Sequence, residues 1–277
     1  RRDGTSCPRH FSQSLAQPDD PRVQHRSGYR ILLTPCNDRL PALPAAARPR
    51  TGCRGAWLCC LLLVIQPLWA DEQSIRPGVN RQYENPNWSQ WVSVFERRGR
   101  EVYEHRHAIV AATGVRPGMQ VADIGAGTGL FTRLFASKVA PTGTVYAVDI
   151  SRTFIENILR TCREMGLNNV EGIVNSPRTT GLPDQSIDLA FVTDTYHHFE
   201  YPASMLESIH RSLRTGGRLV IIDFRREPGI SSPWVMGHVR AGKNAVIREI
   251  QAAGFRLVTE KPVMRSNYFL TFSKEGS

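Results

Sequence analysis

Val121-Ala122-Asp123-Ile124-Gly125-Ala126-Gly127-Thr128-Gly129-Leu130 is the stretch whose reading decides the fold. Gln120 to Ile124 reads as a strand and Leu130 to Val139 as a helix, so three glycines crowd the turn between them. Residues without a Cβ let the backbone bend sharply and let a ligand come close to the peptide groups. The bend lies at the carboxyl end of a strand, where open α/β sheets bind ligands. Asp149 closes the next strand, twenty residues beyond Gly129, where a carboxylate can accept both hydroxyls of a ribose. A dinucleotide fingerprint wants a small residue at 130, and Leu130 stands there. Asp123, just ahead of the glycines, suits a cationic amino-acid ligand and would repel a pyrophosphate. Both features disfavour a nicotinamide-dependent oxidoreductase.

Outward from this bend, strands and helices alternate. Thr144 to Val148, Val170 to Val174, Ile187 to Val192 and Arg218 to Phe224 read as strands; helices are expected near Arg152 to Met165, from Pro202, and around Val246 to Ala253. Runs apolar on both faces imply an α/β architecture, a mostly parallel sheet with helices on both sides. The segments near Arg256–Val258 and Tyr268–Phe272 leave no room for a helix between them. The last strand is therefore expected to run antiparallel. Upstream, Trp91, Phe95, Val102 and Ile109 are spaced to share one face of a helix stopped by Gly114. Asp71 to Trp88 is polar and broken by Pro77-Gly78 and Asn85-Pro86, which suggests a lead-in or lid.

The chain has 277 residues and a net charge of +10, from 35 Lys plus Arg against 25 Asp plus Glu. Ten arginines and four aspartates lie in residues 1–70, so the rest carries only a diffuse +4. That is too little to demand a nucleic-acid surface. Residues 1–53 are rich in Pro, Arg and Ala, without a period, and are expected to be a disordered or spurious leader. Residues 54–70 pair Arg54 with the apolar run Ala56–Ile65 and end at Ala70, a signal-peptide pattern pointing to export (periplasmic); a cytoplasmic or membrane-anchored protein is the alternative. No run of 18 or more apolar residues suggests a stable membrane span. Five of six cysteines precede residue 61, leaving Cys162 alone in the body.

With these pieces in hand, the body resembles class I S-adenosylmethionine-dependent methyltransferases of the small-molecule kind. The resemblance rests on Asp123–Gly129, Val148-Asp149, Leu182-Pro183-Asp184-Gln185-Ser186-Ile187-Asp188-Leu189, Tyr196-His197-His198-Phe199 and Leu213-Arg214-Thr215-Gly216-Gly217-Arg218-Leu219. It implies a Rossmann-like seven-stranded sheet over residues 95–277, with 71–94 as lead-in. It also implies S-adenosyl-L-methionine as cofactor and a small-molecule acceptor. Asp123, Gly125, Ala126, Gly127, Thr128, Gly129, Asp149 and Ile150 would hold the methionine and ribose, and Asn175 and Ser176 would meet the adenine. Asn175 departs from the acidic residue usual there, although its amide oxygen can still accept a hydrogen bond. A cofactor-binding protein without transfer activity is the alternative.

The fourth strand of the body ends in Thr193-Asp194-Thr195-Tyr196-His197-His198, whose carboxyl end faces the same crevice. His197, His198 and Asp194 are the candidate catalytic groups, with Tyr196 a further polar candidate. Arg100, Tyr103 and His107, with the Tyr83–Trp91 segment, could close over them. No metal is expected, because His197, His198 and Asp194 are contiguous and no second cluster of ligands is visible.

Overall fold

The computed structural model describes residues 72–275 and the backbone of Ile31–Leu33. The signal-like stretch at 54–70, and most of the leader, lie outside the described residues. Eight strands form one sheet: β1 (Ile31–Leu33), β2 (Gln120–Ile124), β3 (Thr144–Asp149), β4 (Val170–Val174), β5 (Ile187–Thr193), β6 (Leu213–Phe224), β7 (Phe255–Glu260) and β8 (Asn267–Lys274). Their order is β1-β4-β3-β2-β5-β6-β8-β7. Strands β1 to β6 pair in parallel, and β8 runs antiparallel to both β6 and β7. The seven strands β2–β8 are thus the expected sheet with its reversed last strand. Ile31–Leu33, within the stretch expected to be a disordered or spurious leader, forms a short parallel edge strand against Gly172–Val174 of β4.

The helices are α1 (Arg81–Glu84), α2 (Trp88–Phe95), α3 (Glu101–Glu104), α4 (Arg106–Thr113), α5 (Leu130–Val139), α6 (Arg152–Glu164), α7 (Pro202–Ser212), α8 (Pro233–His238) and α9 (Lys243–Ala252). Helix α6 shows how local sequence sets them. The Ser151 side chain caps it by accepting from the Phe154 N–H, and Phe154, Ile155, Ile158, Leu159 and Cys162 form its buried stripe. Gly166, at φ +72°, takes the left-handed conformation just past its end.

Strand residues alternate between two apolar layers. Val121, Val145, Ala147, Leu189 and Phe191 pack with α4, α5 and α6, whereas Ala122, Ile124, Val148, Ala190 and Val192 pack with α7 and α9. Each large apolar side chain buried this way contributes about 1.5–3 kcal/mol. The single helix expected from Trp91 to Gly114 is instead three, α2, α3 and α4. Gly99, at φ +85°, breaks the run, and Glu101 accepts from the backbone N–H groups of Arg265 and Ser266, which ties α3 to the β7–β8 connection.

The chain leaves β2 toward β3 on one side of the sheet and returns at β5 on the other. The loops after β2 and β5 therefore diverge and open a crevice between them, the usual ligand position in such sheets.

Candidate functional site

A cavity of about 970 Å³ occupies that crevice. Its floor is the glycine bend. Gly125 and Ala126 donate to the Val148 carbonyl at 2.8 and 3.1 Å, which folds the loop back over β3. Gly125, Gly127 and Gly129 all have positive φ. A Cβ on Gly125 would sit 2.2 Å from the Thr195 side chain across the crevice, and one on Gly129 would sit 2.7 Å from Ile158 of α6. Gly125 therefore permits the close approach of the loops after β2 and β5, and Gly129 permits helix packing. Gly125, Ala126, Gly127, Thr128, Asp149, Ile150 and Asn175 line the cavity; Asp123, Gly129 and Ser176 do not.

Asp149 is held by its own backbone neighbours. One carboxylate oxygen accepts from the Gly127 N–H at 2.9 Å and the other from the Ser151 N–H at 2.8 Å. It thereby joins the glycine bend to the start of α6, and each oxygen keeps a second lone pair for a ligand. Burial pushes its carboxyl up to about 6, against the two backbone hydrogen bonds. Asn175 donates its amide to the carbonyls of Ser176 and Thr179, which leaves its Oδ1 to accept.

Asp123 corrects the sequence reading. It shares the strand face of Val121, so it points under α5 and not into the crevice. The Thr132 hydroxyl donates to it at 2.6 Å, and burial pushes its carboxyl up to about 7. It braces the strand against the helix that follows the bend.

Across the crevice from the glycine bend, β5 runs into a 3-10 turn at Tyr196–His198. Asp194 lines the cavity in a left-handed conformation, φ +47°. Both its oxygens are engaged: Arg100 pairs with one at 2.5 Å and the Asn267 amide donates to the other at 2.6 Å. Asp194 is thus an anchor for Arg100, which also donates to the Phe95 carbonyl and so draws α2 over the site. Tyr196 does not line the cavity. Its hydroxyl donates to Glu249 at 2.7 Å, beneath an Arg240–Glu249 ion pair. Of the residues expected to close over the site, Tyr83, Trp91 and Arg100 line the cavity, Tyr103 lies under the Arg106 guanidinium, and His107 is exposed.

His197 and His198 are both buried and both line the cavity. Asp223, at the end of β6, lies 2.7 Å from His197 Nδ1 and accepts from its backbone N–H at 3.1 Å. Burial, followed by the neighbouring His197, pushes His198 down to about 2, so its ring stays neutral. Two partners escaped the sequence reading. Asp223 was legible only as a strand end, and His238 of α8 follows no motif. Yet the His238 ring lies 5.0 Å from that of His197 and 5.1 Å from that of His198, and Trp234 stacks on it at 4.5 Å. The basic residues after β6 are largely paired: Arg240 with Glu249, Lys243 and Arg225 with Glu260. Cys162 is buried and free, with its thiol pushed up to about 11 by burial.

Residues 122–221 match a family model described as a methyltransferase domain. The chain is 32% identical over 122 residues to the ubiquinone/menaquinone biosynthesis C-methyltransferase UbiE of Hydrogenovibrio crunogenus, covering 44% of this chain and 48% of that protein. It is 34% identical over 125 residues to UbiE of Ectopseudomonas mendocina, covering 43% of this chain and 47% of that protein. The chain spans about half the length of these curated relatives. Among solved structures, an S-adenosylmethionine-dependent methyltransferase from Aquifex aeolicus superposes with a TM-score of 0.61 at 23% identity, covering 68% of this chain and 99% of that one. Phosphoethanolamine N-methyltransferase 2 of Haemonchus contortus, in complex with S-adenosyl-L-methionine, gives 0.53 at 21%, covering 65% and 44%. The fold is that of class I S-adenosylmethionine-dependent methyltransferases, and residues 122–221 carry the matched methyltransferase domain.

Proposed function

We propose that this chain transfers a methyl group from S-adenosyl-L-methionine to a small, largely apolar acceptor bound beside it in the same cavity. One observation carries the reading. The glycine bend with Asp149 and the polar segment after β5 line one cavity and meet at Gly125 and Thr195, and the rest of the lining is largely apolar and aromatic.

The residues present fit the nucleoside. Gly125, Ala126 and Gly127 line the cavity with little side chain, Asp149 has acceptor capacity to spare for ribose hydroxyls, and Asn175, also in the lining, spends its amide N–H groups on backbone carbonyls and keeps Oδ1 as an acceptor. A bound sulfonium supplies an already activated methyl, so the protein's part is alignment and exclusion of water. Tyr83, Trp91 and Phe95 form a contiguous aromatic wall, with ring centroids 4.9 Å apart along the series, and the Tyr83 ring meets that of His198 edge-on at 5.2 Å. Such a wall favours a flat or apolar acceptor. The curated relatives are named for methylation at carbon in quinone biosynthesis, and that supports an aromatic acceptor here as well. His197, fixed by Asp223, and His198 give the acceptor end its polar contacts.

Two calorimetric titrations of the full chain test the cofactor assignment, one with S-adenosylhomocysteine and one with NAD. Binding of the first and not the second is expected. Incubation with S-adenosylmethionine and a panel of phenols, quinols and aliphatic amines then tests transfer. S-adenosylhomocysteine binding with no turnover across the panel would favour a cofactor-binding protein without transfer. The export reading of residues 54–70 is part of the proposal, and amino-terminal sequencing of the protein recovered from cell fractions decides it.

A further inference from the structure

Three imidazoles from two separate segments meet at the acceptor end of the cavity. His197 and His198 come from the turn after β5, and His238 from the end of α8. One ring nitrogen from each lies within 4.8 Å of the other two. The Nε2 atoms of His198 and His238 are 3.3 Å apart. That is long for a nitrogen–nitrogen hydrogen bond. It equals the edge of a tetrahedron with metal–nitrogen bonds of about 2.0–2.1 Å, which is roughly 3.3–3.4 Å. Bringing His197 to the same edge length takes a shift of up to about 1.5 Å, and His238 sits half-buried at the end of a six-residue helix with Trp234 stacked on its ring.

The surroundings also point to an ion. His197 faces the buried Asp223 carboxylate through Nδ1, so Nδ1 is the nitrogen that donates and Nε2 is the one turned to a ligand. A carboxylate behind a histidine is the arrangement that orients metal-ligating imidazoles. The nearby charges are Asp223, the Arg100–Asp194 pair, whose charges offset, and Arg76, which donates to the His238 carbonyl.

We propose that His197, His198 and His238 bind one divalent transition-metal ion, Zn²⁺ being the ion suited to three imidazoles with a fourth position left open toward the cavity. The three rings carry the metal site by themselves. Assigning its open position to an oxygen or sulfur atom of the methyl acceptor rests on the methyl-transfer reading.

The test uses tag-free full-length chain, stripped with chelator, loaded with Zn²⁺ or Co²⁺ and passed through a desalting column. We expect one metal per chain by mass spectrometry and visible Co²⁺ absorption of tetrahedral strength. His238→Ala should weaken binding at least tenfold, and Asp223→Asn by about 10–100-fold. His238→Gln repeats the measurement if the alanine variant melts early, and circular dichroism with S-adenosylhomocysteine titration reports the integrity of each variant. Wild-type protein without stoichiometric metal overturns the proposal. So does metal retained at wild-type affinity by folded His238 variants, because the histidines and cysteines of residues 1–70 would then be its ligands. Metal binding without S-adenosylhomocysteine binding would leave the metal site standing and remove the methyl-transfer reading.

Discussion

Protonation of Asp149 should weaken cofactor binding in a defined pH window. On the proposed reading its carboxylate accepts from the ribose, and only the ionised form offers both oxygens as acceptors. Burial has pushed its carboxyl up to about 6. Roughly nine-tenths of the free protein is then ionised at pH 7 and about one-tenth at pH 5, so affinity should fall about ninefold, or about 1.3 kcal/mol, across that interval. Unfolding does not imitate the effect. A buried acid with a raised pKa binds more protons folded than unfolded, so between about pH 4 and 7 these groups favour the fold as pH drops. The charged and titratable groups nearby are Asp123, pushed up to about 7, and Tyr83, pushed up to about 12 and therefore neutral throughout. Asp123→Asn separates the first from Asp149. The assay is isothermal titration with S-adenosylhomocysteine at pH 5, 6, 7 and 8 on wild type, Asp149→Asn and Asp123→Asn. Asp149→Asn should bind about 10–100-fold more weakly at pH 7, with no remaining pH dependence, because charge-assisted hydrogen bonds of about 1.5–3 kcal/mol are lost. Its amide nitrogen must also face the Gly127 or the Ser151 N–H, at a stability cost of about 1–3 kcal/mol visible in thermal melts. Wild-type affinity that is flat from pH 5 to 8, or unchanged affinity in folded Asp149→Asn, would refute the reasoning.

Gly125→Ala puts a methyl 2.2 Å from Thr195 on a backbone at φ +72°; a stability loss of about 2–3 kcal/mol in urea titration is expected, with S-adenosylhomocysteine binding abolished. Arg100→Met removes the ion partner of a buried carboxylate, so denaturant melts should show a loss of roughly 2–3 kcal/mol. Tyr196→Phe should cost about 1 kcal/mol in stability and leave cofactor affinity within twofold, because its hydroxyl serves Glu249 and not the cavity. A tenfold affinity loss in that variant would return Tyr196 to the site.

The order of strands and helices, the reversed last strand and the position of the ligand bend were legible from residues 120–272, because apolar periodicity and glycine breaks are local signals. The bounds of β2, α5 and β4 coincide with those expected. Asp149 was legible too, since a strand end one βα unit after a glycine bend must lie beside it. Other features depend on side-chain direction and long-range approach. Strand parity turns Asp123 under α5, and Glu249 draws Tyr196 away from the cavity. Asp194 spends its charge on Arg100, 94 residues away in the chain.

Sequence by itself determined the class of fold and the place of the glycine bend beside Asp149, because both follow from short-range patterning of apolar and glycine residues. Only the tertiary structure decided which polar groups meet around the turn after β5. Asp223 stands behind His197 from 26 residues away, and His238 joins His198 from 40. No periodicity encodes such meetings: they arise where separate strand ends and helix ends are packed together by the two apolar layers of one sheet.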